Sequence, residues 1–134
     1  MNDSTDEAFA QAFLQGTVSP AQFHHRDHLR LTWYLVRHHD REEAARLIAT
    51  SIHTFAAQHG QAAKYHETLT QFWVRLVAHL VGQHPEITSF ETFLATFPHL
   101  LDKSLPYRHW RRETMESVTA RASWVEPDVL ALPA

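Results

Sequence analysis

With 134 residues, 44% of them hydrophobic and 20% charged, the chain has the length of one ordinary domain and a composition that excludes the disordered and collagen-like classes. It contains no cysteine, which excludes disulfides, thiolate nucleophiles and every cysteine-containing zinc or iron–sulfur site; any metal would rest on His, Asp or Glu. A formal net charge of -3 argues against a non-specific nucleic-acid binder, although the twelve histidines would turn the sign positive in mildly acid conditions.

The N-terminal stretch MNDSTDEAFAQAF is acidic and lacks both the basic and the apolar region of a signal peptide. The most apolar run, Phe72–Val81, is interrupted by Arg75 and His79 and falls well short of the roughly 20 residues needed to span a bilayer. A soluble, cytoplasmic protein without a membrane partner is expected. Asp6–Gln15 sets Phe9 and Phe13 four apart ahead of Gly16, the pattern of a short amphipathic helix. Ser19-Pro20 reads as a cap followed by a first-turn proline, opening a helical stretch that bends before Asp27. His25–His39 is helical in its apolar period, and Arg41–His59 continues as helix with Ala45, Ile48, Ile52 and Phe55 on one stripe and Gly60 just past its end. Tyr65–His84 is a third strong helix, stopped by Pro85. Ser89-Phe90-Glu91-Thr92 resembles a capped start, and the helix behind it stops near Pro98 or kinks and runs on through Leu101. The last helix, Arg108–Trp124, is expected to carry Met115, Val118 and Ala122 inward, ahead of a tail punctuated by Pro127 and Pro133. No repeat, low-complexity tract or linker divides the chain, so residues 1–134 read as a single all-α domain, a bundle of five or six helices.

At about 100° per residue, His25, His28, Leu29, Thr32, Leu35 and Val36 share one arc of their helix, while Arg26, Arg30 and Arg37 lie on the opposite, solvent side. The same construction places His66 beside Leu69, Trp73, Val77 and Leu80, with Thr70 bordering the stripe, and puts His79 on the polar side. Glu67 falls about 100° from His66 and turns inward only if the first turn is irregular. Two imidazoles in a buried stripe call for a shared reason, because an unpaired buried polar group costs on the order of 1–3 kcal/mol.

Two readings of these side chains follow. In the first, His25, His28 and His66 converge on a divalent transition metal, Zn, Fe or Cu, as bundles do from facing helices. Thr32 and Thr70 then hold the outer ring nitrogens, and Glu67 acts as base toward a metal-activated water. In the second, the three histidines are core or pocket-wall residues hydrogen-bonded to carbonyls, threonines or a tyrosine. His24 stands at the edge of the group as a surface residue, and His38, His39, His53, His59 and His84 read as helix-end histidines. The basic run around Tyr107 and Trp110 reads as a solvated face with an Arg112–Glu116 pair, or as an anion clamp from which Arg108 is the residue to follow.

FHHRDHL, KYHETLT and ARASWVEPDVLALP resemble the recurring blocks of a family of small bacterial helical proteins, over most of the chain. The resemblance implies that the first two blocks form one site and attaches no reaction to it. Three functional expectations result. The leading one is a small metal-dependent enzyme acting on a small polar or anionic metabolite by hydrolysis or oxygen chemistry, with Tyr65, Thr70 and Arg108 contacting the substrate. The second is a metal-free module whose histidine-lined pocket binds a small molecule, and the third is a structural or partner-binding bundle.

Overall fold

A computed structural model describes residues 3–19 and 23–133, so the proline-led turn expected at Pro20 lies outside the described residues. Within them the chain forms seven α-helices and no strand: α1 Asp3–Leu14, α2 His25–His38, α3 Arg41–Gln58, α4 Glu67–Gln83, α5 Phe90–Thr96, α6 Arg112–Met115 and α7 Val118–Ala122. Short 3-10 turns stand at Ala62–Lys64, Pro98–Leu101 and Leu105–Arg108. The fold is all-α, with more helices than the sequence pattern suggests.

Local chemistry sets the helix boundaries. Gly16 adopts φ 76° just past α1, and its N–H donates to the Phe13 carbonyl at 3.0 Å. Gly60 takes φ 69° past α3, a region that a side chain enters only at a cost. The Asp40 carboxylate accepts the Glu43 N–H at 2.8 Å to start α3, and Ser89 accepts the Thr92 N–H at 3.1 Å to start α5. At α2, Asp27 reaches back to accept the His24 N–H at 3.0 Å.

Helices α2 and α4 form the centre. Leu29 and Trp33 of α2 meet Phe72, Trp73, Leu76 and Val77 of α4 in one apolar cluster that extends to Phe90, Phe93, Leu100, Trp110 and Met115. Leu31 and Leu35 of α2, with Val74 of α4, enter a second cluster with Phe13 of α1 and Ala44 and Ile48 of α3. Because α2 is packed against α1, α3 and α4, its supposed solvent side is only partly solvent. Arg26 does sit outside, bridging to Glu91. Arg30, however, lies under α1, donating from Nε to the buried Asp6 at 2.7 Å and stacking over Phe9 at 4.7 Å.

The C-terminal region departs from the expected single helix Arg108–Trp124. Ser117 ends one turn and starts another: its hydroxyl donates to the Thr114 carbonyl at 2.7 Å and accepts the Ala120 N–H at 3.1 Å, separating α6 from α7. Met115 and Ala120 are buried, whereas Val118 is 83% exposed and Ala122 faces out. Asp128 then pins the tail, accepting the Arg111 N–H at 2.9 Å and the Thr114 hydroxyl, while the Trp110 indole donates to the Val125 carbonyl at 3.0 Å. The Arg112–Glu116 pair is present at 3.8 Å.

Candidate functional site

The histidine blocks do meet at one end of the bundle, where the start of α2, the end of α3 and the start of α4 converge. They do so differently from the helical wheels. His66 is not a residue of α4 but its N-cap, with extended backbone at φ -137° and ψ 108°. Its Nδ1 accepts the Leu69 N–H at 3.1 Å and its Nε2 faces the Met115 carbonyl at 2.6 Å. A carbonyl only accepts, so Nε2 carries the proton and the tautomer is fixed. The ring is buried, and burial, opposed by the Met115 bond and helped by the Arg121 charge, leaves its pKa below the ordinary histidine value.

His25 uses Nε2 to donate to the Leu100 carbonyl at 2.8 Å, tying α2 to the 3-10 turn Pro98–Leu101, and its ring stands edge-on to Trp73 at 4.7 Å. Burial lowers its pKa against the opposing pull of that carbonyl, and Lys103 lowers it further. His28 is different. Its Nε2 is buried and has no hydrogen-bond partner among the described residues. Burial and the neighbouring His25 lower its pKa to about 4, so the ring is neutral near pH 7.

These positions do not assemble the expected metal centre. Both His66 nitrogens are already engaged, and the His25 and His28 rings lie 6.5 Å apart between centroids. Imidazoles sharing a tetrahedral zinc would stand at about 5 Å, given a Zn–N bond of roughly 2 Å. No group of three or more His, Asp or Glu among the described residues is arranged to hold a metal ion. The threonines also have other tasks: Thr32 donates to the His28 carbonyl and Thr70 to the His66 carbonyl, each at 2.9 Å. Glu67 turns away from the histidines, accepting the Tyr65 hydroxyl at 2.6 Å and the Gln71 amide at 2.8 Å. It lines two other clefts instead. Tyr65 is pushed well above its ordinary pKa, first by burial and then by its bond to Glu67. Arg108 is exposed at the end of a 3-10 turn and takes no part in the site.

What the structure builds instead is a cavity of about 310 Å³. Its buried floor comprises His66, Thr70 and Trp73, with His28 beside them, and its walls include Ile52, Phe55 and Leu69. The exposed rim is His59, Gln61 and Lys64, with the Tyr65 ring just inside. At roughly 30 Å³ per water-sized group, this space accommodates a ligand on the order of ten non-hydrogen atoms. Phe23 closes in over Phe55 at 5.3 Å and approaches the His28 ring at 5.9 Å. The α3 wall is the part that sequence reasoning misses, although Ile52, Phe55 and His59 fall at helical spacing and continue the stripe past the point where core residues are needed.

Comparison with protein-family models, curated proteins and solved structures found no match. The class defined by fold and site is an all-α protein with a histidine-walled apolar cavity.

Proposed function

We propose that this protein is a small-molecule-binding module whose cavity takes a compact, mainly apolar molecule bearing one hydrogen-bonding group, without a metal. The observation that carries this reading is the His28 Nε2, a buried nitrogen without a partner among the described residues, in a residue of the cavity wall. Such a group costs about 1–3 kcal/mol while unpaired, and a ligand hydroxyl or carbonyl removes that cost on binding. Nε2 is closed to water in the present rotamer, so binding requires a ligand to turn the ring about its soft χ2 torsion until a nitrogen meets it. Every other histidine nitrogen accounted for on the floor is spent on the main chain, so specificity falls to His28. A base with pKa about 4 is poorly matched to proton abstraction near pH 7, which favours recognition over general-base catalysis.

Thermal unfolding in EDTA with phenol or toluene as probe tests the reading. At about ten times its Kd, phenol should stabilise by about 1.4 kcal/mol, a rise in Tm of about 4 °C. Toluene, lacking the hydroxyl, should do markedly less, and His28→Leu should abolish the difference. Failure of both probes to move Tm, or equal shifts for the two, contradicts the proposal.

A further inference from the structure

The charges around the cavity are one-sided. Among the described residues, none that lines the cavity is an aspartate or glutamate, and the single permanently charged one is Lys64, at the exposed rim beside His59 and Gln61. Lys64 has no ion pair among the described residues, and the nearest carboxylate in sequence, Glu67, is committed to Tyr65 and Gln71. Away from this exposed rim, the half-buried His28 ring lines the same space and carries the unpartnered nitrogen just behind the wall. An apolar chamber thus has a neutral hydrogen-bonding group at its floor and an uncompensated ammonium at its mouth.

Resting on the binding function proposed above, we infer that the ligand class is a small apolar monocarboxylate with a second polar group at its far end, entering polar end first and leaving its carboxylate at Lys64. The polarity follows from solvation. A carboxylate driven to the floor would lose its hydration against a neutral, sealed imidazole, whereas at the rim it keeps water on one side and gains the lysine charge. The apolar middle of the molecule is matched by Ile52, Phe55, Leu69 and Trp73. A lysine offers a point charge without a required geometry, so selection at the mouth is for charge rather than for shape.

The matched pair p-cresol and 4-hydroxyphenylacetate reads this out, since they share the phenol and differ in the para substituent. Kd values are measured by calorimetry on the full chain at about 20 mM and about 500 mM salt, concentrations on either side of strong screening. The acid should bind about fivefold tighter than p-cresol at low salt, with the advantage shrinking at high salt. Lys64→Met should erase the advantage, bringing the Kd of the acid to that of p-cresol on the same variant, and Lys64→Arg should retain it. If both compounds bind with equal Kd, or p-cresol binds tighter, the carboxylate assignment is overturned while the cavity function stands. If neither binds, the cavity function and this inference fall together.

Discussion

His28 and His66 show how two histidines within one site acquire opposite roles. His66 spends both nitrogens on the main chain and serves as a structural rivet between the start of α4 and the end of α6. His28 spends none on Nε2 and is held neutral by burial. That depression has a consequence for stability. An unfolded histidine titrates near 6.5 and His28 near 4, so between these values the unfolded chain binds the extra proton. The contribution of neutral His28 is fully present above about pH 6.5 and is lost as pH falls toward 4, amounting to roughly 3 kcal/mol at most. Urea unfolding from pH 7 to pH 4 should therefore show a loss of stability that is visibly smaller in His28→Leu. Parallel curves for the two proteins would place the acid sensitivity elsewhere.

At the level of elements, the pairing of α1 with α2 rests on Arg30 and Asp6, whose side chains are 15% and 1% exposed. Breaking a buried pair strands the remaining charge, so Asp6→Ala or Arg30→Ala should each lower stability by about 3 kcal/mol, while Asp6→Leu with Arg30→Met should recover most of it. Denaturant midpoints of the three variants check this, and a double replacement as damaging as either single one would contradict it. The same pair marks the limit of what a helical wheel reveals. The wheel reads His25–His39 as a helix, which ends one residue earlier at His38, and correctly puts Leu29 and Leu35 inside, because apolar period is a local property. It assigns Arg30 to solvent because it has no knowledge of a second helix covering that side. For His66 the difficulty is of another kind: periodicity assumes regular backbone, and at a cap the backbone is extended, so an imidazole in the position usually held by Ser, Thr, Asp or Asn goes unrecognised. Likewise Ser117 passes in a helical period as an interior residue, whereas in the fold its hydroxyl caps α7 and breaks the run, which is why two short helices read as one.

On the scale of the whole molecule, two apolar clusters share α2 and α4, and the cavity opens at the end of the bundle where α3 meets the turn leading into α4. No helix among the described residues is long and apolar enough to cross a membrane. The sequence shows which histidine blocks meet, but the purpose of their meeting depends on which nitrogens remain after the caps and carbonyls are satisfied, and that is a property of the folded chain. The central claim is that, of the cavity's histidines, His28 is the one with a buried nitrogen left over and that a ligand takes it without a metal. The most direct measurement is an NMR titration of the imidazole nitrogens of EDTA-treated, 15N-labelled protein with phenol. His28 is predicted to shift saturably while His66 keeps the signature of a fixed Nε2–H tautomer. Phenol binding that leaves His28 unmoved, or His25, His28 and His66 responding together to added Zn²⁺, would contradict it.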